Sequence, residues 1–199
     1  MAKQLSNREL VEEHFDGDIK DHTMVVVHDD GVHRHLEFRK NGSSIMMFGI
    51  VTWPGHLAYY GDMGSYTFRR LTDMFEFFSG PRINPSYWGE KLEAVDKSSG
   101  YRAFSRNVFM DNAMDQWDRF EENGEFEDEA QGERIKQSLI DMVIGAEDDD
   151  ARAYDAVYDW EEDGFTISDG WEWNNQDFTY RYIWCLKAIV WGIGKYYEL

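Results

Sequence analysis

The stretch "MVVVHDDGVHRHLEFRK" (24–40) decides the fold. Two β-prone runs flank Asp29-Asp30-Gly31, and a short Asp-Gly turn between such runs is a strong hairpin signal. In the second run His33, His35 and Glu37 alternate with Val32, Leu36 and Phe38, and only Arg34 interrupts the apolar series. Period-two alternation of this kind marks a strand with one face buried.

Working outward, "NGSS" (41–44) supplies the next turn and "IMMFGIVTW" (45–53) a third strand. Pro54-Gly55 turns the chain into "HLAYY", and "GDMG" (61–64) leads on to "SYTF". Together these predict an antiparallel meander of four to five strands. Upstream, "SNRELVEEHF" reads as a helix, with Ser6 and Glu9 spaced as a capping box.

Beyond residue 69 the period becomes helical. "RLTDMFEFFSGP" spaces Leu71, Met74, Phe75 and Phe78 as one face, with Thr72 as cap and Gly80-Pro81 as stop. "NPSYWGEKLEAVD" (84–96) predicts a second helix begun by Pro85. Two longer helices follow, one carrying Val108, Met110, Met114, Trp117 and Phe120, the next Ile135, Leu139, Met142 and Val143. The final apolar run, "YIWCLKAIVWGIG" (182–194), is short and broken by Lys187, so a buried helix is expected rather than a membrane span. The expected class is α+β, a meander packed against several helices with an acidic helical C-terminal half. Residues 1–100 and 101–199 are expected to make one composite domain. Phe75, Phe78, Trp184 and Trp191 should be buried where helices cover the 24–68 sheet.

Net charge is −19, and it is regional. Residues 1–100 hold 15 acidic and 11 basic side chains, whereas 111–163 hold 20 acidic and 4 basic. This balance argues against direct nucleic-acid binding and against an anionic membrane surface, since both use clustered Lys and Arg. The single cysteine, Cys185, excludes an intramolecular disulfide and points to a reducing cytoplasm.

Conventional catalytic motifs are missing. His28, His33 and His35, with Asp62, outline a small metal-dependent enzyme, because His-x-His on a strand chelates zinc when a third ligand converges. No Cys or HExxH pattern accompanies them, so no metal, cofactor or catalytic residue is expected. Cys185 lies in an apolar helix where a thiolate is costly. The informative stretch is instead "EDDDARAYDAVYDWEEDG" (147–164), which keeps Ala153, Tyr154, Val157 and Trp160 in helical register. On a helical wheel Asp148, Asp155, Asp159 and Glu162 share one face with Arg152, opposite Ala153, Val157 and Trp160. Glu125, Glu127, Asp128 and Glu129 add to the array from "EENGEFEDEAQGE" (121–133). Helical carboxylates at i, i+3 or i+4 sit roughly 5–6 Å apart, comparable to the spacing along a nucleic-acid backbone.

The run "HDDGVHRHLEFRK…VTWPGHLAYYGDMGSYTFRRLTDMFEFF" resembles short proteins carried by bacteriophages and prophages. That resemblance covers roughly residues 24–79 and implies an intracellular phage setting in the host cytoplasm. With the charge pattern it gives the leading expectation: a non-enzymatic, DNA-mimicking inhibitor, such as an anti-CRISPR or anti-restriction protein, whose partner is a host nucleic-acid-binding complex with a basic groove. A structural or assembly accessory using the sheet for self-association is the third option.

Overall fold

The computed structural model describes residues 5–80, 82–124, 126–146 and 149–199. The class is α+β, and the chain forms two compact units. One comprises 5–102 and 178–199, the sheet unit; the other, 103–177, is inserted between the sheet and its last helix. Among the described residues no helix is long and apolar enough to cross a membrane.

The sheet unit opens with α1 (Asn7–Ile19), which starts on the Ser6–Glu9 capping box and buries Val11, Phe15 and Ile19 one turn apart. Strands β1 (His22–Asp30), β2 (His33–Lys40), β3 (Phe48–Trp53), β4 (His56–Gly61) and β5 (Gly64–Arg69) follow as consecutive antiparallel neighbours. Local chemistry closes the turns: Gly31 and Gly55 sit at φ of 60° and 81°, where a Cβ is disfavoured. Helix α2 (Met74–Phe78) is capped by Asp73, not Thr72, and Leu71 lies outside it, 40% exposed. Helix α3 (Pro85–Gly89) ends early, and Leu92–Ala94, expected as helix, instead forms β6, the sixth strand. Its Leu92 pairs with Phe68, so tertiary pairing overrides local helix preference.

Helix α7 (Tyr180–Tyr197) covers the sheet's inner face. Leu36, Phe38, Phe48, Ile50, Leu57, Tyr59, Tyr66 and Phe68 point inward, every second residue of β2 to β5, and all are buried. Trp184 is fully buried, Trp191 partly so, and Phe75 and Phe78 are completely enclosed. Gly192 permits the approach, because a Cβ there would come within 2.9 Å of the Phe38 ring. Cys185 is fully buried on α7 and donates to the Met63 carbonyl at 3.5 Å, and burial pushes its thiol pKa well up. Thiol reagents should therefore modify the native protein more than about 100-fold more slowly than the denatured chain. Equal rates in a disulfide-exchange assay would contradict this packing of α7.

Arg34, which broke the apolar alternation of β2, belongs on the inner face after all. Its guanidinium makes a bidentate bridge to Asp73 (2.8 and 2.9 Å) and lies over Phe75, 4.4 Å from the ring centroid. The Tyr196 ring lies 5.5 Å from the same guanidinium, and the Tyr196 hydroxyl donates to Asp29. One side chain thus ties the hairpin to α2 and α7. Removing it strands a largely enclosed carboxylate, so Arg34→Ala should cost about 3 kcal/mol in urea unfolding. The hydrogen bond from Arg34 holds the Asp73 carboxyl below its ordinary value of 3.8. A depressed carboxylate stabilises the fold above its unfolded pKa, and that stability is lost as pH falls through the folded value. Asp73→Asn should therefore flatten the loss of stability below about pH 4; an unchanged acid profile would sink the assignment.

In the inserted unit, α4 (Arg106–Asn123) and α5 (Glu129–Gly145) are joined by a short loop that begins with Gly124 at φ 64°. The buried stripe of α4 runs through Phe109, Ala113, Trp117 and Phe120; Val108, Met110 and Met114 flank it, half-buried. Ile135, Leu139 and Val143 of α5 are buried as expected, with Met142 at the edge. Helix α6 (Asp150–Asp159) closes this core with Ala153 and Val157, and Trp160 follows as the extended residue after it. The Trp160 indole donates to Ser138 at 3.1 Å.

Candidate functional site

The histidine cluster does not assemble. The turn at Gly31 pairs Asp30 with His33 and so places His28 opposite His35. Asp62 lies at the far end of the strands, where its carboxylate accepts from the Met46 amide at 3.0 Å. Among the described residues no group of three or more His, Cys, Asp or Glu converges as a metal-ligand set. The sheet's outer face holds a smaller network instead. The Tyr60 hydroxyl lies 2.8 Å from the His35 Nε2 and donates to Glu37 at 3.2 Å. Gly49 makes room for this ring, since a Cβ would sit 2.2 Å from it. Burial, then the neighbouring Glu37, raises the Tyr60 pKa.

The acidic residues separate into those with structural work and those without. Asp128 caps α5 by accepting from the Gln131 amide at 2.8 Å, and Glu129 stands in that helix's first turn, where the dipole favours it. Glu127 is exposed beside them, its amide donating to Gln131. Glu125 and Asp148 lie outside the described residues. Asp155 and Asp159 sit one turn apart on α6, both exposed, and no hydrogen bond or ion pair engages either among the described residues.

Glu162 does not join them on the helix. Helix α6 stops at Asp159, and Glu161–Glu162 pairs with Phe165–Thr166 as a hairpin. Its two-residue loop, Asp163-Gly164, has both φ values positive, 49° and 83°. That is the hairpin chemistry of an Asp-Gly pair, a signal the sequence carries at 163–164. Glu162 is half-buried there, and Asp163 is bridged to Arg134 at 2.8 Å.

Charge follows the division of the chain. Segment 103–177 holds 23 carboxylates against 5 Lys and Arg, a net of −18. Segments 5–102 and 178–199 hold 16 against 14, a net of −2. Asp159 also opposes the dipole in the last turn of α6, which has no basic residue, and Asp155 one turn earlier repels it.

Two of the concavities formed by the described residues open on the inserted unit. One, of about 550 Å³, is walled by Gln116, Arg119, Asn123, Ser168 and Asp169, with no histidine, cysteine or lysine to set up acid–base chemistry. The other, of about 170 Å³, lies between α6 and the turn Gly170–Glu172. Tyr154, read as part of the apolar register, faces this cleft and solvent, 53% exposed. Comparison of the chain with known protein families, curated proteins and solved structures gives no match, so the functional reading rests on these residues and their geometry.

Proposed function

We propose that the 103–177 unit is an anionic decoy that occupies the phosphate-binding groove of a nucleic-acid-binding protein. The observation that carries this reading is the segregation of charge: a net of −18 on one compact unit and −2 on the other. A surface that served only solubility has no need of such confinement. Asp155 and Asp159 sharpen the point, because their like charges one turn apart, and the place of Asp159 in the last turn, cost the helix stability with no partner among the described residues to offset it. The resemblance to phage proteins suggests the target class, a host defence complex such as a CRISPR surveillance complex or a restriction enzyme, and with it action as an inhibitor rather than an enzyme.

Charge complementarity of this kind acts mainly on association rate and is screened by salt. The protein should therefore retain a basic partner from host lysate and release it as salt rises. A labelled DNA duplex should compete for the recovered partner. A partner that holds DNA and this protein together, each at undiminished affinity, would rule out occupation of the groove.

A further inference from the structure

Helix α6 carries two tyrosines one turn apart, Tyr154 and Tyr158, which are 53% and 80% exposed. Across the cleft stands Trp171, 66% exposed on the Gly170–Glu172 turn. Val157, Ile167 and Gly170 form the floor. The turn approaches α6 so closely that a Cβ on Gly170 would lie 1.9 Å from a Val157 methyl, so glycine is required to hold the indole there. Large aromatics left in solvent contribute nothing to the core, and clustered Tyr and Trp are the usual anchors of binding surfaces.

At about 170 Å³ the cleft falls below the 300–1,000 Å³ typical of small-molecule sites and suits one inserted side chain. Its surroundings select the charge of that side chain. Asp155 and Asp159 each follow a cleft tyrosine, Asp169 and Glu172 bracket the turn, and all four are exposed. Between Lys136 and Arg181 the only basic residue is Arg152. No carboxylate lines the cleft itself, but an aromatic slot on a unit of net charge −18, with carboxylates next in sequence to its walls, favours a planar cation that stacks on the rings.

We propose that Tyr154, Tyr158 and Trp171 form a receptor for one arginine side chain of the partner protein, the anchor point of the anionic interface. This rests on the reading of the inserted unit as a binding surface, and it adds the contact that charge alone lacks. The test titrates the intact, nitrogen-15-labelled protein with an acetylated tri-arginine peptide, following the Trp171 indole N–H signal, assigned through Trp171→Phe. A saturable shift of that signal is expected. Tyr158→Ala should weaken the peptide about five-fold or more without changing net charge; at 80% exposure the tyrosine is not needed for folding. Tri-lysine, equal in charge but without the planar group, should bind more weakly. An unmoved Trp171 signal, an undiminished affinity in Tyr158→Ala, or equal affinities for the two peptides would overturn the proposal. The anionic reading fails separately: in that case Asp155→Lys plus Asp159→Lys leaves affinity for the basic partner intact.

Discussion

Replacing Trp184 with alanine should destabilise the sheet unit by about 3–5 kcal/mol, the range for a large buried aromatic. The indole is fully enclosed, tilted against Phe15 at 5.2 Å and edge-on to Phe48 at 5.9 Å. Truncation leaves a cavity between α1, α7 and the sheet, and it also removes the indole N–H that donates to Asp18 at 3.0 Å. Both losses add, because the surrounding side chains relax only partly into the space. Trp171→Ala is the internal control, since an exposed ring should change stability by less than about 0.5 kcal/mol. Urea unfolding of the two variants, followed by near-ultraviolet circular dichroism, separates them. A Trp184→Ala loss under about 1 kcal/mol would mean that α7 does not seat on the sheet as described.

The second large effect falls on binding, and its sign for stability is opposite. Changing Asp155 and Asp159 to lysine places a cation in the last turn of α6, where the dipole favours it, and exchanges one like-charge pair at i, i+4 for another. The dipole term is worth a few tenths of a kcal/mol and the pair term is little changed, so the variant should be as stable as the wild type or slightly more so. The same change alters the charge presented to a basic partner by four units. Loss of affinity of about 100-fold in low salt is expected, mostly through slower association, with the difference shrinking as salt screens the charges. Glu127 tests the outer edge of the surface. Asp128 is unsuitable for that purpose, because its carboxylate caps α5 and its removal would cost about 1 kcal/mol of stability.

How much of this was legible in the sequence follows the range of the interactions. The Ser6–Glu9 box and the Asp30-Gly31 and Pro54-Gly55 turns are set by neighbouring residues, and the sequence predicts them correctly. Leu92–Ala94 is different: three residues carry little pattern, and only the exposed edge of β5 makes them a strand. Arg34 looks like a break because its partners, Asp73 and Tyr196, are 39 and 162 positions away in a chain that gives no sign of the pairing. For α6 the apolar stripe Ala153–Val157 was legible, and so was the exposed column Asp155–Asp159. Its end differs from the helical wheel through Glu162, because Asp163-Gly164 turns the chain into a hairpin and takes Glu162 off the stripe. The aromatic cleft was not legible at all. Tyrosine at i, i+4 fits a core as well as a surface, and Trp171 reaches α6 only because Gly170 allows the contact.

The central claim is that carboxylates of the inserted unit stand in for nucleic-acid phosphates. Its most direct test uses the partner recovered from host lysate, bound to a labelled DNA duplex in low salt. Wild-type protein and the folded Asp155→Lys plus Asp159→Lys variant are compared as competitors for that complex. The account predicts that wild type displaces the duplex, that the variant needs about 100-fold more protein, and that the gap narrows as salt is raised. A folded variant that displaces DNA as well as the wild type in low salt would contradict it, and would leave the stripe as a solubility device.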